Sequence, residues 1–407
     1  MGIKEKMNSR FRDLQGGLFA KVTKADVGEG AGNLMAQGYD IMAWADPFFP
    51  DPSIPPSVTK TMIKAFEDGF AAHYTMPMGN ADLRRTISKK LLEKNNIKAD
   101  PSRNILVTPG SDSGLLYAML PFISEGDEVL IPDPSYPSNF LNARLCGGVA
   151  VPVPLREENN WQLDIREFEK RLTIRTKMVL ISHPNNPTTT VFRRKGLEEL
   201  CRFIVKHDLI LVCDQAFEDH IYDSIEFVTP ASLPGMWERT VTVFSISKGI
   251  GLSGFRVGYI AADDHIMDVL YGGAVNILGA TNTAAQVGAV TALEDKSILE
   301  ENYMVLERRR RLAYEVFSSI PGVKAGLPES GFLSWLNVSK LGTSAEVVAY
   351  ILCKAKVVVN EGTPYGQCGE GYIRIVHGCF RNEERALSAY RRIKDALSEL
   401  AAKKGVI

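Results

Sequence analysis

Seven short apolar runs recur through the middle of the chain and constrain its fold more than any other feature. They are Ile105–Val107, Glu128–Ile131, Val149–Val153, Lys177–Ile181, Leu209–Cys213, Thr240–Phe244 and Val257–Ala261. Helical patterns stand between them, one through Leu115, Leu116 and Leu120 and another over Asn139–Leu145. A short apolar run without polar alternation reads as a strand covered on both faces. Seven such strands separated by helices predict an α/β unit: a mostly parallel seven-stranded sheet flanked by helices. Ligands bind such sheets beyond the carboxyl ends of the strands. The loops after the strands are therefore where chemistry is expected.

The texture changes near Glu300. Tyr303–Ser319 reads as a long charged helix. Phe332–Val338, a helix near Ala345–Lys354, Val357–Asn360, Tyr372–Val376 and a helix from Glu383 to about Leu400 follow. That is an α+β layout, and 407 residues exceed what one core usually covers. The expected division is a large domain over 46–296 and a smaller α+β domain made of 1–45 and 297–407. Gly28, Gly30 and Gly32 suggest a mobile or irregular stretch near the start.

The bulk numbers remove several function classes. Lys plus Arg is 47 and Asp plus Glu is 48, so no basic excess points to nucleic acid. The six cysteines (146, 201, 213, 353, 368 and 379) form no C-x-x-C pair and no metal-type spacing, so no metal is expected. Ala274–Leu293 is small and apolar but carries Asn276, Thr281, Asn282, Thr283 and Gln286, so it reads as a buried helix and not a membrane span. With no secretory signal behind Met1, the cytoplasm is the expected compartment.

The richest loop is Ser245-Ile246-Ser247-Lys248-Gly249-Ile250-Gly251-Leu252-Ser253-Gly254-Phe255-Arg256-Val257-Gly258. A lysine amine attacks an aldehyde only when neutral, and burial beside a cation lowers its pKa toward that state. Ser245 and Arg256 are donors suited to a phosphate monoester. A phosphate-binding loop without covalent chemistry is the competing reading. The Gly-Lys-Ser/Thr order of a nucleotide P-loop is absent.

The pattern S-x-S-K-x-x-G-L-x-G-x-R-x-G resembles the pyridoxal-phosphate attachment site of the class I and II aminotransferases of fold type I. Further landmarks appear in the family's order. The resemblance implies an enzyme that moves an amino group from an L-amino acid to a 2-oxo acid in a ping-pong cycle. Lys248 is its Schiff-base lysine and proton shuttle. A C–S β-lyase or other Cα chemistry on the same scaffold is the alternative.

Each landmark then acquires an implied role. Gly110, Ser111 and Asp112 start a helix whose free N–H groups would cradle the cofactor phosphate, helped by Ser245, Ser247 and Arg256. A plainly capped helix is the bland reading of that turn. Tyr136, after Asp133-Pro134-Ser135, would stack on the pyridine ring, or simply pack. Asn186 would bond the 3-hydroxyl and orient substrate. Asp214 would pair with the pyridine nitrogen and keep it protonated, or merely cap a helix. Arg374, flanked by Ile373 and Ile375, would take the substrate α-carboxylate bidentately, or lie on an exposed edge. Trp44 and Ala45 match the entry segment that closes over substrate, where Trp44 and Phe48 either shape the pocket or pack. Tyr74 would reach the cofactor phosphate of a neighbouring subunit, which makes a homodimer the expected active unit.

Several positions depart from the family pattern, Ala45 among them, where relatives often have glycine. Thr189 replaces the usual glycine after Thr188. Phe217 replaces a tyrosine whose phenol bonds the 3-hydroxyl. Asp112 lies where some relatives carry a lysine for acidic substrates, and Asn282 near where others carry an arginine. A neutral, aromatic or basic substrate is therefore expected in preference to aspartate.

Overall fold

The computed structural model describes residues 3–12 and 29–406. Its helices are α1 (Ser9–Arg12), α2 (Glu29–Ala36), α3 (Pro56–Glu67), α4 (Ala81–Asn95), α5 (Ser111–Met119), α6 (Pro137–Leu145), α7 (Ile165–Glu169), α8 (Arg194–Lys206), α9 (Asp264–Ile277), α10 (Thr283–Glu294), α11 (Lys296–Ser318), α12 (Ser344–Ala355) and α13 (Glu383–Lys403). A two-residue strand, β1 (Asp40–Ile41), precedes the large sheet. That sheet contains β2 (Ile105–Thr108), β3 (Glu128–Asp133), β4 (Val149–Pro154), β5 (Thr176–Ser182), β6 (Ile210–Asp214), β7 (Thr240–Ser245) and β8 (Gly258–Ala261).

The seven strands lie in the order β2-β8-β7-β6-β5-β3-β4. Only β8 is antiparallel, and it is antiparallel to both β2 and β7. The other six therefore run one way, and their carboxyl ends gather along one edge. Because β8 runs in reverse, it starts at that same edge. This brings Arg256 and Gly258 to the ends of β2 and β7, where Gly258 faces Thr108 on one side and Ser245 on the other.

Both faces of the sheet are covered, as the continuous apolar runs demand. On β6, Leu211 and Cys213 join one core while Val212 joins the other. On β2, Ile105 and Val107 face one way and Leu106 the other. Burying each such aliphatic side chain contributes about 1.5–3 kcal/mol, so the sheet holds its loops in fixed positions.

The remaining strands are β9 (Lys324–Ala325), β10 (Leu333–Asn337), β11 (Val357–Val358), β12 (Asn360–Glu361) and β13 (Tyr372–Val376). Four of them form an antiparallel sheet in the order β12-β13-β10-β9. β1 pairs in parallel with β11, tying the segment before the large sheet to the chain after it. A third core under α11, α12 and α13 includes Leu306, Phe317, Val347, Ile375 and Tyr390.

Several sequence expectations need correction. Ala274–Leu293 is not one helix. α9 ends at Ile277, Gly279 turns at φ 64°, and Asn282 starts α10 by accepting from the Ala285 N–H. The polar residues inside that stretch thus mark a helix boundary. No helix among the described residues is long and apolar enough to cross a membrane. Gly30 and Gly32 lie within α2 and not in an irregular stretch, whereas Gly28 lies outside the described residues. The long helix expected from Tyr303 begins at Lys296, where Asp295 caps it by accepting from Ser297 N–H. Val357–Asn360 divides between two sheets.

Candidate active site

The loops at the carboxyl edge carry the titratable groups. Lys248 follows β7 and is half-buried, with its Nζ donating to the Ala45 carbonyl at 2.6 Å. Burial lowers its pKa. The carboxylates of Asp112 and Asp46 oppose that shift, while Arg374 and Arg256 add to it. The entry segment carrying Trp44 and Ala45 therefore lies directly against the lysine. Trp44 packs edge-on to Phe49 at 5.0 Å, and Phe48 is fully buried, so Phe48 is a packing residue.

Two strands along the edge from β7, after β2, α5 starts without a side-chain cap, since its N-cap is Gly110 at φ 82°. The first-turn N–H groups, which no helical carbonyl can reach, are thus left open to an anion. A Cβ on Gly110 would collide with the Arg256 guanidinium. A Cβ on Gly258 would collide with the backbone of Gly110 and Ser111, so glycine is required for β8 to approach the turn. The Ser245 hydroxyl accepts from Ser247 N–H at 3.1 Å nearby. An uncapped helix start beside an arginine and serine hydroxyls is a cradle for a phosphate.

Asp214 ends β6, 6% exposed. It accepts from Ala216 N–H at 3.0 Å and from the Ser182 hydroxyl at 3.1 Å. Burial pushes its pKa up to about 6. An anion so placed is costly unless a cation meets it, and a protonated pyridine nitrogen is such a cation. Ser182 was not singled out from sequence. Its signal is the register of β5 on β6, which sets Ser182 opposite Asp214. Asn139 on α6 donates to Ser182 and to Ser135, extending this network to the Tyr136 turn.

Tyr136 donates its phenol proton to Asp112 at 3.1 Å, and burial together with Asp112 raises its pKa. Phe217 is buried against Phe332, with ring centroids 5.5 Å apart, and brings no hydroxyl. Thr189 keeps the turn that glycine would make by adopting φ 62°, with its N–H on the Asn185 carbonyl at 2.8 Å.

Arg374, on β13, is 4% exposed. Its Nε and Nη2 donate to Asn360 Oδ1 at 3.2 and 2.8 Å, Nη2 to the Ala43 carbonyl at 2.7 Å, and Nη1 to Asn186 Oδ1 at 3.1 Å. All these acceptors are neutral. A buried guanidinium held only by neutral oxygens favours an incoming carboxylate. Asn360, which sequence reasoning missed, sits opposite Arg374 in the β12–β13 register. Tyr74 stands apart, 97% exposed and making none of the contacts that join the others.

Lys248, Asp214, Asn186, Tyr136, Arg256 and Arg374 are thus drawn into one neighbourhood from three loops, the end of β6 and a strand of the second sheet. The family model described as aminotransferase class I and II matches residues 42–393. An aspartate aminotransferase of Pyrococcus abyssi is 34% identical over 355 residues, 86% of this chain and 88% of the relative. Aromatic-amino-acid aminotransferase 2 of Thermococcus litoralis is 32% identical over the same shares. The crystal structure of an aromatic aminotransferase from Pyrococcus horikoshii superposes with a TM-score of 0.84 at 30% identity, covering 92% of this chain and 100% of that one. The chain belongs to the class I and II aminotransferase family, and it is a pyridoxal-phosphate-dependent aminotransferase of fold type I. These relatives do not favour the C–S lyase alternative.

Proposed function

We propose that Lys248 is the covalent anchor of pyridoxal phosphate and the base that moves the substrate Cα proton, with Asp214 facing the pyridine nitrogen. The carrying observation is the charge pattern: among the described residues, a buried carboxylate in no ion pair and a buried guanidinium bonded to neutral oxygens flank a half-buried lysine amine. The cofactor supplies an electron sink when bound. Gly110, Ser111, the Asp112 N–H, Ser245, Ser247 and Arg256 hold its phosphate, Tyr136 covers its ring, and Asn186 meets its hydroxyl beside Phe217. Arg374 fixes the substrate carboxylate and leaves the Cα proton within reach of Lys248. Trp44 and Ala45 exclude water from above. The working division is 46–296 as the large cofactor-binding domain, with 1–45 and 297–407 as the smaller domain.

The substrate side chain is neutral, aromatic or basic in this reading. The Asp112 carboxylate, bonded to Tyr136, puts negative charge where a second carboxylate would be repelled. The active unit is a homodimer, with Tyr74 serving the partner's site. Support comes from exposed apolar side chains on the same stretch of chain: Met76 is 69% exposed, Phe66 and Ile63 on α3 are 62% and 51%, and Ile54 before it is 53%. Six unpaired thiols fit a reducing compartment such as the cytoplasm.

A single-turnover reaction with each of the common L-amino acids tests the whole assignment. The cofactor absorbance should convert to that of its aminated form, and Lys248→Ala should abolish the conversion. Pyruvate and ammonia released without an acceptor would indicate elimination instead.

A further inference from the structure

Asp133 ends β3, three residues before Tyr136, and is buried at 2% exposure. Among the described residues it forms no ion pair, and two backbone N–H groups stabilise its charge. Gln367 N–H donates to Oδ2 at 3.0 Å and Cys368 N–H to Oδ1 at 3.1 Å. Both belong to the loop between β12 and β13. Ser135 N–H adds a bond to the Tyr365 carbonyl at 2.8 Å. Gly366 adopts φ 128°, and a Cβ there would collide with the Asp133 carboxylate, so loop and acid are fitted to each other. The loop brings Tyr365 into place, 2% exposed, with the Arg374 guanidinium carbon 5.0 Å from its ring centroid. Trp335 supports that ring edge-on at 5.8 Å.

The in-plane bonds of Arg374 go to Asn360, Ala43 and Asn186. Those bonds fix its edges, while the tyrosine ring covers a face and limits tilting. A buried carboxylate without a cation is costly, and a loop clip alone would not need one. We propose that Asp133 is a positioning residue for recognition of the amino-acid carboxylate: it seats the 362–369 loop on the large sheet, and the loop presses Tyr365 onto Arg374. This rests on the reading of Arg374 as the carboxylate site.

Two substitutions test it in the cofactor-loaded enzyme. Asp133→Asn turns one acceptor into a donor facing an N–H. Tyr365→Leu removes the ring and leaves the acid. Each should raise KM for the amino acid about tenfold, with kcat within about twofold. Reaction with a primary amine lacking the carboxylate should be unchanged. Asp133→Asn, but not Tyr365→Leu, should speed hydrogen exchange over 362–369. Unchanged KM in both variants, or an equal loss toward the carboxylate-free amine, overturns the proposal. If Asp133→Asn does not fold, Tyr365→Leu decides alone, and an unchanged KM overturns it. Arg374→Ala is measured alongside. If it leaves KM unchanged, the carboxylate assignment falls and the positioning role falls with it. If Arg374→Ala raises KM while the other two do not, only the positioning role fails.

Discussion

Arg374 Nη1 lies 3.1 Å from Asn186 Oδ1, so a strand of the small sheet is bonded to a loop of the large one beside the proposed substrate site. Lysine cannot reproduce this. It has no second fork to hold Asn360 and Asn186 while still meeting a carboxylate. Arg374→Lys should raise KM for both amino acid and 2-oxo acid on the order of 100-fold, with a smaller change in kcat. Steady-state kinetics with each substrate varied in turn check this.

Asp214 should act oppositely in the presence and absence of cofactor. Its pKa rises from 3.8 to about 6 on folding. Between those values the folded chain binds more protons than the unfolded one, so stability falls as pH rises. In cofactor-free protein at pH 7, Asp214→Asn should therefore stabilise by about 2–3 kcal/mol, and near pH 4 by little. In the loaded enzyme the same change would break the proposed pair with the pyridine nitrogen and should lower activity on the order of 100-fold or more. Thermal melts at the two pH values, with and without cofactor, read out both effects.

In the proposed site, Phe217 stands where a phenol would stabilise the ionised 3-hydroxyl of the cofactor. Phe217→Tyr restores roughly 1 kcal/mol of hydrogen bonding. The pH midpoint of the bound cofactor's absorbance should fall by about 0.7 unit. Equal midpoints in the two proteins would remove the explanation.

Thr189 is a β-branched residue at φ 62°, a conformation that costs such a residue about 1–3 kcal/mol. Thr189→Gly should raise stability by about 1 kcal/mol after glycine's own entropy cost. Denaturant unfolding should show a higher midpoint at unchanged slope.

Asp112 sets the sign of charge near Tyr136. Asp112→Lys should improve kcat/KM for dicarboxylic amino acids about tenfold or more and reduce it for basic ones. A substrate panel against one 2-oxo acceptor reports this directly.

Much of this was legible in the sequence because it depends on local pattern. Runs such as Leu209–Cys213 marked the strands, and the residues after them are where Lys248, Asp214 and Asn186 stand. What was not legible depends on register between distant strands. Ser182 meets Asp214, and Asn360 meets Arg374, only because of how the strands pair. Asp133 looked like the lead-in to Tyr136, and its amide partners lie more than two hundred residues away. The break at 278–282 was signalled by Thr281 and Asn282, but polar residues within a buried helix give the same composition, and only the backbone separates the two.

The oxygens around Arg374 come from Ala43, Asn186 and Asn360, three segments widely spaced along the chain. The carboxylate site proposed at Arg374 is thus not a module that can be lifted out. A transplanted β13 would arrive without its acceptors, and a chimera joined anywhere between residues 43 and 360 would draw them from two parents. Redesign of this enzyme is better aimed at the side-chain end of the pocket, where Asp112 depends on a single phenol.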